Sequence, residues 1–313
     1  MIVTLTEEQY IKRIPADLWS RQLRGGKGKK ILKEDILREI FSCSTHDDIL
    51  FFTSKGRVYS KRCFDIPKQS RTSKGRSIVN FLRLKEDEKI AYMYPLSSFA
   101  EEASLIFITK NGLTKKTPLK YFTNIQKSGK IAIKIRENDE LLTVLKLEKG
   151  PKDLFIGTKN GYAARFDISA LKNLGRTAMG VKGITLREND EVIDALLADQ
   201  DTIILTLTKQ GVGKRTPLSE YRKTKRSAMG VININFKSEN DEVIAIRSPS
   251  VDHDLLIGTK QGQVIRIDCD TIRETHRVTQ GVKAIDLYEN DEVVSVGRCT
   301  ELVVKKKNKN NSK

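Results

Sequence analysis

Six near-copies of a unit of about 50 residues run the length of the chain, and this periodicity narrows the possible folds more than any other feature. Four copies end in the same acidic word: Glu137-Asn-Asp-Glu140, Glu188-Asn-Asp-Glu191, Glu239-Asn-Asp-Glu242 and Glu289-Asn-Asp-Glu292. Glu86-Asp-Glu88 is a looser version and Glu34-Asp35 a worn one. Upstream in each unit stands a turn word, Thr-Lys-x-Gly at Thr109 to Gly112, Thr158 to Gly161, Thr208 to Gly211 and Thr259 to Gly262. Thr53 to Gly56 is a variant of it, and Thr6 to Gln9 an eroded first copy. Periods of this length belong to solenoids, propellers or arrays, because one unit is too small to bury its own apolar face.

The last full unit shows the local grammar. Asp254 to Gly258 is a short apolar run ending in the turn, and Gln263 to Ile267 alternates after it, which together predict a hairpin. Gly281 to Leu287 alternates again, and Val293 to Val296 follows the acidic turn. The expectation is four strands per unit and an all-β chain, with helix left open only at Lys33 to Phe41. Six four-stranded units predict six blades around an axis, a propeller-like answer to the problem of exposed sheet edges. Glu301 to Lys305 resembles both Asp254 to Gly258 and Met1 to Leu5, so the end of the chain is placed to pair beside its start; an open spiral also satisfies the pattern. Residues 1–305 are expected to form this single domain and 306–313 a disordered basic tail. Met1 opens directly on a strand, as in a piece of a longer protein.

Charge bounds the function. Lys and Arg number 57 against 40 Asp and Glu, leaving +17, an excess that favours polyanions such as nucleic acid or an anionic membrane surface. No apolar run reaches the 18 residues of a membrane span, and no secretory signal opens the chain. The four cysteines, Cys43, Cys63, Cys269 and Cys299, contain no Cys-x-x-Cys pair, which predicts reduced thiols in the cytoplasm.

The basic residues fall at fixed registers. Four residues after the turn glycine stand Lys116, Arg165, Arg215 and Arg266, with Arg13 in the first copy. Nineteen residues after the turn stands a second glycine in five of six copies (Gly28, Gly75, Gly180, Gly230, Gly281); Gly129 comes two residues early. Four residues before it is an arginine in five copies: Arg24, Arg71, Arg176, Arg226 and Arg277. Ile125 breaks the rule, with Lys127 and Lys130 nearby, while Lys74 and Arg76 flank Gly75. The acidic words hold 17 of the 40 acidic residues, so the two signs are sorted to separate points of every unit. Any one of these arginines is an ordinary solvated side chain; five at one register are a pattern. In a ring they predict a basic band, and such a band on a curved rim suits duplex DNA, whose phosphates are evenly spaced and need no sequence readout. Bending 20–30 bp by 40–90° costs roughly 1–6 kcal/mol, which several charge-assisted contacts of roughly 1.5–3 kcal/mol each can offset. A single strand is less suited, since aromatics are only 6% of residues and do not interleave with the basic positions.

No catalytic constellation emerges. His46, His253 and His276 lie far apart in the repeat, and Gly25 to Lys29 lacks the spacing and following hydroxyl of a nucleotide-binding loop. Neither cofactor nor metal is expected.

One motif carries a family resemblance. Gln22-Leu-Arg24-Gly25-Gly26-Lys27-Gly28, followed by Lys29 and Lys30, resembles at six of seven positions the Gln-Arg-Arg-Gly-Gly-Lys-Gly box of the DNA gyrase A subunit, with Leu23 in place of an arginine. With six repeats around it, the whole chain resembles the gyrase A C-terminal domain family. The resemblance implies a six-bladed β-pinwheel, in which blades exchange strands. It also implies a non-catalytic role: wrapping double-stranded DNA so that the enzyme introduces negative supercoils. The implied partners are the N-terminal cleavage-reunion part of gyrase A and the gyrase B protein in an A2B2 holoenzyme, in the cytoplasm at the nucleoid, with no membrane. The box would latch the returning DNA end, and the later blades would set its path. The related C-terminal domain of topoisomerase IV, which usually lacks the box, and a propeller-type platform for protein partners remain as alternatives.

Overall fold

A computed structural model of the chain describes residues 1–15, 37–70, 73–99, 102–150, 152–248, 254–261 and 264–299. Each unit opens with an antiparallel hairpin. These are β1 (Ile2–Thr6) with β2 (Tyr10–Ile14), β4 (Asp48–Thr53) with β5 (Arg57–Arg62), and β8 (Ser104–Thr109) with β9 (Leu113–Pro118). The later ones are β12 (Asp153–Thr158) with β13 (Tyr162–Asp167), β16 (Ile203–Thr208) with β17 (Val212–Pro217), and β20 (Asp254–Thr259) with β21 (Val264–Asp268). A third strand from the same unit pairs with the first strand of the hairpin: β3 (Leu37–Ser42), β7 (Ile90–Leu96), β11 (Leu141–Leu147), β15 (Val192–Ala198), β19 (Val243–Arg247) and β23 (Val293–Cys299). β7, β11, β15, β19 and β23 follow one another in order and β23 lies against β3, while Val3, Leu5 and Ile11 of the first sheet share a core with Ile49 and Phe51 of the second, so the ring is closed.

The fourth strand of each complete sheet is only two residues long and comes from the next unit. β6 (Arg76–Ser77), β10 (Lys130–Ile131), β14 (Val181–Lys182), β18 (Val231–Ile232) and β22 (Val282–Lys283) each pair with the second hairpin strand of the preceding unit. This corrects the expectation of six four-stranded blades. Five sheets have four strands, while the sixth has three among the described residues, in the order β21-β20-β23. Lys29 and Lys30, which stand in the first unit at the sequence register of the exchanged strands, lie outside the described residues. The same holds for Glu301 to Lys305 and for the tail. The segment left open as helix is strand over its described part, because Phe41 pairs with Val3 in the first sheet.

The turn word explains itself. The glycine takes φ near +80° (79° at Gly56 and Gly112, 81° at Gly161), a conformation costly for other residues, and its amide donates to the threonine carbonyl. The threonine hydroxyl accepts the amide of the residue after the glycine, as in Tyr162 N to Thr158 Oγ1 at 3.2 Å. The first hairpin strands are continuous apolar runs because neighbouring blades cover both their faces. Alternate residues of β8 enter different cores: Leu105 and Phe107 join Leu50 and Phe52 of the second sheet, while Ile106 and Ile108 join Leu154 and Ile156 of the fourth.

Odd and even units differ. At three, four and six residues past the turn, odd units carry Lys12-Arg13 before Pro15, Lys115-Lys116 before Pro118, and Lys214-Arg215 before Pro217. The sixth-position residue in even units is Arg62, Asp167 or Asp268, and both aspartates accept an amide of the short 3-10 turn that follows.

Candidate nucleic-acid interface

With the third strands around the axis, the exchanged strands lie at the outer edge of their sheets, and the loops that lead into them run along the rim. The arginine four residues before the second glycine belongs to such a loop. Arg176 donates to the carbonyl of Ile131 (2.9 Å), Arg226 to that of Lys182 (2.5 Å), and Arg277 to that of Ile232. In every case the acceptor is the second residue of the outer strand one blade back. One guanidinium nitrogen therefore staples successive blades along the rim, and the remainder of each half-exposed side chain stays available. Where Ile125 replaces the arginine, a cavity of about 580 Å³ opens beside it, bordered by Phe81, Arg83 and Lys127.

The other rim cations fall into two groups. Lys127 is exposed. Lys130 donates to the Thr123 carbonyl (2.8 Å) and Arg76 to the Asn80 carbonyl (3.2 Å), while Lys74 pairs with Glu8 at 2.9 Å and lies over the Tyr10 ring. Gln22 to Lys30 and Arg71 lie outside the described residues, as does the side chain of Arg266.

At the register four residues past the turn, the described arginine side chains are engaged by neighbouring units. Arg165 is bound by Asp153 through Nε (2.7 Å) and donates to the carbonyls of Leu218 (2.9 Å) and Tyr221 (3.0 Å) in the next unit. Arg215 pairs with Asp270 in the 3-10 turn of the sixth unit, and Arg13 donates to the carbonyls of Ile66 and Phe64 in the second. The side chains of Arg165 and Arg215 are only 14% and 17% exposed. They join hairpins to the following blade. Lys116 is half-buried, and its carbonyl accepts the Leu174 amide.

One residue earlier lie lysines that sequence reasoning missed. Lys115, fully buried, donates to the carbonyls of Ala132 (2.5 Å), Gly175 (3.1 Å) and Arg176 (2.7 Å). Lys214 does the same for His276 and Arg277, and Lys12 for Ser73. Burial, then the nearby Arg176 or Arg277 guanidinium, pulls Lys115 down to about 7 and Lys214 down to about 8. Each odd blade thus pins the rim loop of the even unit that follows. The recurring Lys-(Lys/Arg)-x-Pro word was the available signal.

The acidic words are not a free acidic band. Their aspartates are mostly buried and cap the hairpin turns: Asp139, Asp190, Asp241 and Asp291 accept the amides of Asn111, Asn160, Gln210 and Gln261 at 2.9–3.0 Å. Their last glutamates join a Lys–Glu circuit, across blades from Lys159 to Glu242 (3.1 Å) and Lys209 to Glu292 (3.2 Å) and within the sixth unit from Lys260 to Glu292 (3.1 Å). Ion pairing with Glu242 raises Lys159, and pairing with Lys260 and Lys209 lowers Glu292. Among the described residues no cluster of His, Cys, Asp and Glu could hold a metal ion, and no helix is long and apolar enough to cross a membrane.

Repeated small antiparallel sheets, closed in a ring and laced by strand exchange, define a propeller-type domain with cationic loops on its outer edge. The family described as DNA gyrase C-terminal domain, beta-propeller, matches residues 1–35, 47–97, 103–148, 152–199, 202–250 and 253–300, one segment per unit, and the chain belongs to that family. The DNA gyrase A protein of Staphylococcus aureus (strain NCTC 8325 / PS 47) is 39% identical over 307 residues, covering 96% of this chain and 34% of the relative. The same protein from strain MRSA252 is 40% identical over an equal span. The chain thus spans about a third of the length of these relatives. A crystal structure of the C-terminal domain of DNA topoisomerase IV is similar at 27% identity and TM-score 0.77, over 95% of this chain and 92% of that one. A structure of the DNA gyrase A C-terminal domain has TM-score 0.81 at 23% identity, over 95% and 98%, and attests the fold.

Proposed function

We propose that this chain wraps duplex DNA around its outer rim as the C-terminal, non-catalytic domain of a gyrase A protein. The observation that carries the reading is the row of stapled arginines, Arg176, Arg226 and Arg277, set at one register in the rim loops and bonded to the outermost strands of successive blades. A stapled guanidinium is already fixed in place, so contact with phosphate costs little further ordering. Lys74, Arg76, Lys127 and Lys130 extend the row through the second and third units, and Gln22 to Lys30, Arg71 and Arg266 supply the remaining contacts. Arg165 and Arg215 act by positioning the next blade; Lys116 borders the row. The complete domain has six blades over residues 1–305. In the holoenzyme, the wrapped segment is delivered to the cleavage-reunion part of gyrase A, and gyrase B supplies the ATP-driven step that yields negative supercoils. Cytoplasmic placement follows from that role.

The test is topological. Nicked circular DNA is ligated with the domain bound, stripped of protein and resolved on gels. Wrapping of positive sense leaves a positive linking difference that grows with protein added. Binding without any linking change would reject wrapping, and no binding at low salt would reject the interface. The resemblance to the topoisomerase IV domain favours a second reading, in which the domain binds DNA but leaves little net wrap; the size of the linking change separates the two.

A further inference from the structure

We propose that the rim holds DNA by two chemically distinct contacts set at a single register, apolar from Ile131 and Ile232 and ionic from Lys182 and Lys283; this rests on the wrapping reading above. These four are the second residues of β10, β14, β18 and β22, so apolar and cationic side chains alternate from blade to blade along the outer edge. Ile131 is 42% exposed and Ile232 37%.

A solitary exposed hydrophobe needs no explanation. Here the placement is repeated and the backbone is held. The carbonyls of Ile131, Lys182 and Ile232 each accept an arginine from the following blade, so each isoleucine is fixed beside a guanidinium. Met229, 51% exposed, repeats the arrangement: its carbonyl accepts Arg187 at 2.7 Å, and Arg187 is itself stacked 3.6 Å from the Tyr162 ring centre. Of the eight large exposed hydrophobics among the described residues, five (Val79, Ile131, Met229, Ile232, Val278) lie within four residues of a second glycine on the rim.

Apolar knobs fixed among cations fit a ligand that offers both chemistries within a few ångströms. The minor groove of duplex DNA does so, with sugar and base edges on its floor and phosphates on its walls. Ile, Met and Leu side chains are accepted there by architectural proteins; on a rim the contact is shallow, against sugars, since deep insertion would kink the duplex toward the major groove and away from the protein. Such contact reads no sequence, as a wrapping surface requires. Its thermodynamic signature differs from that of a phosphate contact: an apolar contact releases no counterions and leaves the salt dependence of binding unchanged.

The experiment measures affinity of the full chain for a duplex of about 150 bp, one persistence length, over a range of salt, with end-to-end fluorescence transfer as the readout of bending. The I131S/I232S variant should bind about tenfold more weakly, bend the duplex less and keep the wild-type log–log salt slope. The I131L/I232L variant should restore both affinity and bending. The K182S/K283S variant should instead make the slope shallower by about 1.8, that is 0.9 per phosphate. Wild-type affinity and bending in I131S/I232S would overturn the proposal while leaving the wrapping reading intact, as would a changed slope in that variant. Unaltered DNA binding with weakened association to the remainder of gyrase A would assign the isoleucines to a protein contact, and likewise overturn it. If the wild-type chain fails to bind the duplex at all, both readings fall together.

Discussion

At the residue scale, the repeated words of the sequence are halves of the same device. The Thr-Lys-x-Gly turn leaves an amide pointing out of the hairpin, and the aspartate of the acidic word, some 30 residues on, accepts it. The preceding asparagine stands at φ 60°, 55° and 60° at Asn138, Asn189 and Asn290, a left-handed conformation that asparagine tolerates better than most residues. Asp190→Ala should therefore destabilise the domain by about 1–2 kcal/mol in urea melts, the range of a lost side-chain cap; an unchanged midpoint would deny the coupling. The buried lysines allow a second prediction, on pH. Folded Lys115 titrates near 7 and an ordinary lysine near 10.5, so between these values the unfolded chain binds more protons and stability rises with pH. Comparing wild type with Lys115→Met at about pH 7 and about pH 9, the wild type should gain stability relative to the variant, by at most about 1.4 kcal/mol per pH unit. A difference that does not change with pH would place the lysine's titration outside this window. Loss of the ammonium also leaves the Ala132, Gly175 and Arg176 carbonyls unpaired, so the variant should be the less stable protein at both pH values.

At the scale of elements, inter-blade joints decide which arginines are free for a ligand, and the sequence could not distinguish them. Arg165 and Arg226 each stand at a recurrent basic register, yet Arg165 ends on Leu218 and Tyr221 carbonyls while Arg226 lies half-exposed on the rim. Arg165→Met should cost about 2–4 kcal/mol, since Asp153 and two carbonyls lose a buried charged partner. It should leave the salt slope of DNA binding intact, whereas Arg226→Ala should reduce that slope by about 0.9; the reverse pattern would exchange their assignments. The hairpins were legible because apolar alternation and turn residues are local properties. Strand exchange was legible only through the family resemblance and not from the local pattern, because Val282-Lys283 looks the same whether it pairs with its own hairpin or with Val212 and Gly213 of the unit before. Lys115 and Lys214 were missed for a related reason: a lysine is expected in water, and its burial depends on carbonyls about 60 residues further along the chain. The strand at Leu37–Ser42 was ambiguous until its pairing with β1 was known.

At the scale of the whole molecule, salt acts on two balances in opposite directions. The chain carries +17, so its like charges repel across a closed ring, and added salt screens that repulsion. The Lys–Glu circuit on the turn face is also weakened by salt, but its members are substantially exposed (Lys209 30%, Glu242 26%, Lys260 62%), and such pairs contribute only about 0–1 kcal/mol each. Self-repulsion involves every cation of the rim at once, so its relief should outweigh the lost pairs. Melting temperature of the free domain should therefore rise by a few degrees between about 50 and about 200 mM salt. Over the same range, affinity for long duplex DNA should fall by about 10³ or more if six or more phosphates are neutralised. On the wrapping reading, bound DNA should relieve the same repulsion more strongly than simple salt, because its phosphates would sit against the stapled arginines themselves. The stabilisation conferred by DNA should accordingly be largest at low salt and fade as salt rises. A melting temperature that fell with salt would mean that the ion-pair circuit, and not the rim, dominates the electrostatics of the ring. In that event a basic edge held under repulsion, ready to take up DNA, would not describe this molecule.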